Sequence, residues 1–367
     1  MGLRHKLARR LCTVASSAQS LHLPSDVGLF DFLRRAGDWS NAPAEQAAFK
    51  CGATGAEVLY SELEGRVLGA AHALRSGGFR SGDVMSIHMH NCNEWPIGFL
   101  AIAACGGTST PSNPLYTSAE LANQLTDSGA TCMLTSEHYR AVAEEAAAMA
   151  GLSLDRVAYI EDPSAFVHAA ASSEELSLPR PVAAQTDLLT LPYSSGTTGK
   201  PKGVMLSHFN VVANALQVTS GEYLPCKSMR IRNSDRLIAV LPLYHIYGMC
   251  VLMIGALLKR ASVVLLPRFE PTAFLEAIQT HRITKAHLVP PVILFLAKHE
   301  MIDSYDLSSL ETVFSGAAPL DQATCNVVCD RLGVRLSNGY GLTEVGADAI
   351  SMYFADPCLR YCCHTRW

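Results

Sequence analysis

Between Tyr193 and Gly203 the chain runs Tyr-Ser-Ser-Gly-Thr-Thr-Gly-Lys-Pro-Lys-Gly. Four aliphatic hydroxyls (Ser194, Ser195, Thr197, Thr198), the glycines Gly196, Gly199 and Gly203, and the lysines Lys200 and Lys202 fall inside this short run. Glycines let successive backbone N–H groups close on an anion, hydroxyls add neutral donors, and lysines supply opposing charge. That combination suits a polyphosphate. It is not a Walker loop, which needs four residues between its first glycine and Gly-Lys-Ser/Thr. Here Gly196 and Gly199 enclose only Thr197 and Thr198, and Pro201 follows Lys200. A bare Ser/Thr/Gly surface hairpin is the bland alternative, disfavoured by the flanking strand, the lysines and the spacing.

Two further stretches carry residues able to do chemistry. Leu241-Pro242-Leu243-Tyr244-His245-Ile246-Tyr247-Gly248 puts a histidine just after a strand-like apolar run. That is where open α/β sheets hold ligand groups. Ser315-Gly316-Ala317-Ala318-Pro319 and Asn338-Gly339-Tyr340-Gly341-Leu342-Thr343-Glu344 combine small residues, an aromatic ring, a hydroxyl and a carboxylate. Alone, Gly339-Tyr340-Gly341 would be a tight turn with a packed tyrosine, and His245 a packed core histidine.

The elements that must position these residues alternate in type. Ser61 and Glu64 have capping-box spacing ahead of Leu63, Val67, Ala70 and Leu74, and Gly77-Gly78 stops that helix. Val84 to His88 reads as a strand, with Asn91 or Asn93 opening a helix through Ala104; a strand over 131–134 and a helix over 137–149 follow. Residues 162–186, rich in Ser, Ala, Pro and Glu, read as a linker. Beyond it come strands at 188–192 and 203–206, and Ser207 capping a helix over 208–217. Further strands are expected at 236–241, 262–266, 285–289, 311–315 and 334–337. A buried helix after His245 and helices at 271–280, 291–299 and 320–331 fall between them. Alternation of this kind predicts α/β architecture in two similar, doubly wound, mainly parallel lobes over 25–161 and 187–346.

In this order, the three motif stretches resemble the acyl-adenylate-forming enzymes: acyl-CoA synthetases, 4-coumarate–CoA ligases and firefly-type luciferases. The similarity runs from about Leu23 to about Gly346 and is nearest the 4-coumarate–CoA ligase and medium-chain acyl-CoA synthetase branch. It implies that Ser194, Ser195, Thr197, Thr198 and Lys202 embrace the β- and γ-phosphates of ATP. Gly196 and Gly199 permit close approach, and Lys200 is the more exposed lysine. Glu344 is implied to hold Mg²⁺, Thr343 to donate to the α-phosphate, and Tyr340 to lie against adenine. Gly316, Ala317, Ala318, Gly339 and Gly341 would leave room for the purine. His245 is implied to orient the acyl carboxylate and exclude water, and Tyr247 to line the acyl pocket. The implied reaction joins a carboxylic acid to ATP and then to CoA as co-substrate. A non-catalytic ATP- or acyl-binding protein and a luciferase-like adenylating oxygenase stay open as alternatives. Structural roles alone are expected for His208 and Asn113-Pro114.

Members of that family continue past the Thr-Glu pair into a small β-barrel with a ribose-binding aspartate, a Gly-Arg hinge, and a lid with a catalytic lysine. No such segment follows Gly346; residues 347–367 read as an irregular, alternative or frameshifted ending in which Cys358, Cys362 and Cys363 crowd. The expectation is therefore a partial form with slowed adenylation and no thioester step.

Composition bounds the rest. At 367 residues with 49% hydrophobic and 17% charged content, the chain can bury a large core, and a net charge of −4 disfavours a nucleic-acid partner. Twelve cysteines without framework spacing suit a reducing compartment. Cys325 and Cys329 share a helix face and suit core packing better than a metal. Residues 1–24 carry Arg4, Lys6, Arg9 and Arg10 but no acid before Asp26. A mitochondrial transit peptide and an ordinary disordered start are both compatible with this, as is a peroxisomal or cytoplasmic protein. The longest apolar stretch, Ile246 to Leu258, is shorter than the roughly 20 residues that span a bilayer and reads as a buried helix.

Overall fold

A computed structural model describes residues 24, 26–162, 183–194, 201–220, 230–339, 341–343 and 353–355. In chain order the helices are α1 (Leu29–Ala36), α2 (Tyr60–Ser76), α3 (Glu94–Ala104), α4 (Ser118–Ser128), α5 (Arg140–Ala150), α6 (His208–Ser220), α7 (Gly255–Lys259), α8 (Pro271–His281), α9 (Pro290–Lys298) and α10 (Gln322–Leu332). The strands are β1 (Ala47–Cys51), β2 (Glu57–Leu59), β3 (Val84–His88), β4 (Thr108–Pro111), β5 (Cys132–Thr135), β6 (Val157–Tyr159), β7 (Leu188–Thr190), β8 (Tyr193–Ser194), β9 (Lys202–Gly203), β10 (Leu206–Ser207), β11 (Arg236–Ala239), β12 (Ser262–Leu265), β13 (Lys285–Leu288), β14 (Thr312–Ser315), β15 (Arg335–Asn338) and β16 (Tyr353–Ala355).

Two sheets carry the architecture. One has the order β16-β15-β14-β13-β11-β12-β1-β2, the other β10-β7-β4-β3-β5-β6, and β8 with β9 makes a separate hairpin. Interior pairs such as β13 with β14 and β3 with β5 are parallel, whereas the edge strands β2, β10 and β16 pair antiparallel. Every residue of β5, β13 and β14 is buried, as expected of strands with helices on both faces.

The core joins the two sheets. Phe30, Trp39, Phe49, Trp95 and Phe99 pack in one apolar cluster with Met249 to Ile254 and Val263. A second cluster forms around β13, α8, α9 and α10 and takes in Cys325 and Cys329, consistent with their expected packing role. The apolar stretch after His245 is the buried helical segment expected, and no described helix is long and apolar enough to cross a membrane. Ser207 caps α6 as expected: its Oγ accepts from Asn210 N at 3.2 Å, while Asn210 Oδ1 accepts from Ser207 N at 3.0 Å.

Several expectations need correction. The lobes are not contiguous in sequence: β1 and β2 join the sheet of β11–β16, while β7 and β10 join the sheet of β3–β6. Local alternation of helix and strand carries no information about which distant edge a strand finds. The run 203–206 is not one strand. Lys202–Gly203 turns back on Tyr193–Ser194, and Leu206–Ser207 pairs separately with β7, leaving Met205 exposed between them. Ser61 and Glu64 form no capping box, because α2 starts at Tyr60 after an uncapped Leu59 and Glu64 instead accepts from Arg34 at 3.1 Å. The tail expected to be irregular contributes β16, whose Tyr353, Phe354 and Ala355 satisfy the otherwise open edge of β15. Residues 1–23 and 163–182, including most of the expected linker, lie outside the described residues.

Candidate functional site

The carboxyl ends of β11, β13, β14 and β15 lie side by side in one sheet, and the His245, Ser315–Pro319 and Asn338–Thr343 stretches extend from them, while the Tyr193–Gly203 run follows β7 of the other sheet. His245 lies on the turn that leaves β11. Its backbone N–H donates to Pro242 O at 3.1 Å and its carbonyl accepts from Met249 at 3.0 Å. The side chain is exposed at one edge, yet surrounding protein desolvates the ring and lowers its pKa below the ordinary 6.5. Nδ1 accepts the Tyr247 backbone N–H at 3.3 Å. A neutral imidazole has one donor and one acceptor nitrogen, so this contact puts the ring hydrogen on Nε2. The next eight residues, Tyr247–Ile254, wind as a π-helix before α7. A Cβ at Gly248 would overlap the Pro242 carbonyl oxygen, so the turn closes only with glycine there.

Tyr247 crosses from this turn to β13 and β14. Its ring lies against the backbone of Gly316, where a Cβ would come within 2.6 Å of Cε1. Its hydroxyl is 3.3 Å from His287 Nδ1, and the two rings meet edge to face with centroids 5.7 Å apart. Gly316 is buried and donates to Leu288 O at 3.1 Å. Ala317 follows at φ 70°, a left-handed conformation that costs a non-glycine residue energy and exposes the Ala317-Ala318 peptide at the strand ends. Across the register Ser315 pairs with Asn338, and Gly339 N–H donates to Ser315 O at 2.7 Å. Ser315 Oγ, Ser337 Oγ and Asn338 Oδ1 are buried with no hydrogen-bond partner among the described residues. Buried polar atoms are normally satisfied, and the orphans on the register partners Ser315 and Asn338, beside Gly316 and Gly339, fit a polar ligand such as a nucleotide. Gly341 is exposed and Thr343 half-buried beyond them.

The phosphate-type run forms a hairpin stem. Ser194 is in register with Lys202, and Tyr193 with Gly203, whose missing Cβ makes room for the tyrosine ring. Tyr193 Oη donates to Asp127 on α4. Burial, that bond, the Asp127 charge and Tyr116 together push the Tyr193 phenol up; burial and Tyr116 likewise raise Tyr244. Lys202 is exposed.

Ser195, Gly196, Thr197, Thr198, Gly199, Lys200, Tyr340 and Glu344 lie outside the described residues. Among the described residues no group of three or more His, Cys, Asp and Glu could hold a metal ion.

Asn91 and His287 are parts of this site that no motif marks. Asn91, just past β3, donates to Ala239 O (3.2 Å) and Leu241 O (2.9 Å) and accepts from Leu243 N (2.8 Å). It pins the strand ends of one sheet to the His245 turn of the other. Its sequence neighbours His90, Asn93 and Glu94 are polar too, so nothing set it apart from a helix opener. His208 has the structural role expected, its Nδ1 accepting from Leu29 N at 3.1 Å.

The chain matches the AMP-binding enzyme family over residues 36–362 and belongs to it. Its sequence is 33% identical over 328 residues to 4-coumarate–CoA ligase 1 of Petroselinum crispum, covering 89% of this chain and 58% of that protein. In fold it is similar to the N-terminal domain of FACL13 from Mycobacterium tuberculosis, with TM-score 0.78 and 22% identity, covering 91% of this chain and 80% of that one. ATP-bound MatB from Rhodopseudomonas palustris superposes with TM-score 0.74 and 28% identity, covering 90% and 62%. The chain thus spans somewhat over half the length of the curated relatives it matches.

Proposed function

We propose that this chain binds ATP and a carboxylic acid for acyl activation, the first half-reaction of an ATP-dependent acyl-CoA synthetase. A carboxylate oxygen attacks the α-phosphorus, the bond from that phosphorus to the bridging oxygen breaks, and pyrophosphate leaves with the electron pair. In a complete acyl-CoA synthetase the CoA thiol then attacks the acyl carbon and AMP leaves, giving the thioester. Two anions must meet, so charge and alignment are the obstacles. Ser194 and Lys202 anchor a hydroxyl- and lysine-bearing loop for the outer phosphates. The Gly316 and Gly339 strand ends make the purine floor, and Thr343 reaches the α-phosphate. Glu344 holds Mg²⁺, which would offset phosphate charge when bound.

The observation that carries this reading is the His245 turn. With Nδ1 occupied, the neutral ring offers Nε2–H as a donor at the strand ends. A donor that cannot act as a base suits a substrate that is already a carboxylate. The acid is of the class named by the relatives or a fatty acid; 4-coumarate and octanoate are the natural probes.

Calorimetry with ATP and Mg²⁺ tests the nucleotide site directly. Micromolar-range uptake is expected, with Glu344→Gln abolishing the magnesium dependence. Pyrophosphate exchange, run with each acid on this chain and on a form extended through the region present only in the relatives, tests the chemistry. No nucleotide uptake by folded protein, or unchanged uptake after replacing both Lys200 and Lys202 with alanine, would overturn the reading. Nucleotide binding without exchange in either form would leave a binding protein in place of a ligase.

A further inference from the structure

We infer that His287 is a positioning residue of the acyl site, acting through Tyr247 to set carboxylic-acid affinity independently of the nucleotide. This rests on the acyl-activation reading above and deepens it. His287 sits mid-strand in β13 between Ala286 and Leu288, fully enclosed, where an aliphatic side chain would fill the slot without polar cost. An imidazole there is expensive. Its Nε2 is buried with no partner among the described residues, and desolvation of an unpaired polar atom is unfavourable.

The return is visible on the other nitrogen. Nδ1 meets the Tyr247 hydroxyl at 3.3 Å. Phe314 on the neighbouring strand stacks on the imidazole with centroids 4.5 Å apart and planes 3° apart, which fixes the ring plane. Two residues beyond Phe314, Gly316 receives the Tyr247 ring. Tyr247 is therefore held at three points: its hydroxyl on His287, its ring on Gly316, and its backbone N–H on His245 Nδ1. The last point is the contact that puts the hydrogen of His245 on Nε2. Releasing the hydroxyl would loosen the wall of the acyl site and the residue that orients the carboxylate together. The phosphate contacts expected of Ser194, Lys202 and Thr343 involve none of these atoms; the one shared element is the Gly316 backbone, which removing the hydroxyl contact leaves in place. Burial, reinforced by Lys285, lowers the His287 pKa to about 3, so the ring stays neutral wherever the protein is folded.

The test uses the full chain loaded with α,β-methylene-ATP and Mg²⁺, titrated calorimetrically with 4-coumarate and with octanoate. His287→Leu keeps volume and removes the hydrogen bond. It should weaken both acids by roughly three- to tenfold, the range of one net hydrogen bond, with nucleotide affinity unchanged. Tyr247→Phe should cost about as much, and the double variant no more than either single one. His287→Gln, which restores a polar partner, should recover part of the loss. A second readout is the ¹⁵N spectrum of the histidines. His245 should show an acceptor-type Nδ1 in the parent chain and lose that signature in His287→Leu, and acid should shift His287 only when Tyr247 keeps its hydroxyl. If His287→Leu does not fold, that acid-induced shift in the parent chain decides the matter. Wild-type acid affinity in His287→Leu, parallel loss of nucleotide and acid, additive single variants, or a silent His287 signal overturns the proposal alone. So does a parent chain that binds nucleotide but neither acid. A parent chain that binds neither nucleotide nor acid overturns the acyl-activation reading, and this proposal with it.

Discussion

Because three backbone groups from the β11 turn converge on Asn91, that side chain does the work of a short strand between two sheets. Removing the amide leaves the Leu241 carbonyl and the Leu243 N–H without partners in a place water does not reach, while Ala239 O keeps its bond from Leu266 N. Each unsatisfied buried group costs about 1–3 kcal/mol, with partial relief as the turn relaxes. Asn91→Ala should therefore lower unfolding free energy by about 3 kcal/mol, read from urea midpoints. Asn91→Asp should be nearly as damaging, because a carboxylate accepts from Leu243 N but repels the Ala239 and Leu241 carbonyls. A loss below about 0.5 kcal/mol, the level of an ordinary surface substitution, would show that the two sheets are held by their apolar core alone. Nothing in the motif stretches points to Asn91. Its role depends on a contact across 148 to 152 positions of sequence, and residue type at short range cannot disclose that.

The hairpin β8–β9 shows the same limit one level up. Its residue types announced a phosphate-binding loop, and the paired stem agrees with a turn between Ser194 and Lys202. What residue types did not disclose was the anchor. Tyr193 Oη donates to Asp127, 66 positions earlier, so the stem is tied to α4 as well as paired with β9. Both groups are solvent-facing enough that the bond adds little to global stability. Its consequence is local, since a tethered stem samples fewer positions and presents its donors at a lower entropic cost. Asp127→Ala should leave the unfolding midpoint nearly unchanged while weakening ATP binding by roughly two- to tenfold, the net worth of one ordinary hydrogen bond at a solvent-facing position. Tyr193→Phe should match it, and the pair should not add. A drop in stability without any change in nucleotide affinity would remove the tether from the site. Elsewhere at this scale, helices and strands were legible to within a few residues because period and capping are local. Val84–His88 and the helix after Asn93 lie where the pattern put them. The split at Val204-Met205 was not legible, since an apolar run looks the same whether it continues one strand or bridges two.

At the scale of the whole molecule, alternation of helix and strand identified an α/β protein but not its threading. β1 lies beside β12, more than 200 positions away, with β2 outside it, and the pairing is buried in the apolar cluster that includes Trp39, Phe49, Trp95 and Val263. One property of this shared interior can be measured without any ligand. His88, His208 and His287 are all enclosed, and burial lowers their pKa values to about 4, about 4 and about 3 from the ordinary 6.5. In the unfolded chain each takes up a proton as pH falls through 6.5, while in the folded chain each stays neutral until pH reaches its lowered value. The unfolded state then binds more protons, so folding stability is fully present above about pH 6.5 and is lost on acidification toward pH 4. The slope approaches about 1.4 kcal/mol per pH unit for each histidine once pH is well below 6.5. Urea midpoints should accordingly be flat from pH 8.5 to 7.5 and fall steeply between pH 6.5 and 5.5, before most carboxylates titrate. His208→Gln, which keeps an acceptor for the Leu29 N–H, should start less stable at pH 8 yet lose less between pH 6.5 and 5.5. Equal midpoints at pH 7.5 and 5.5 would mean that these three rings take up protons in the folded state, and that the interior joining the two sheets is open to water.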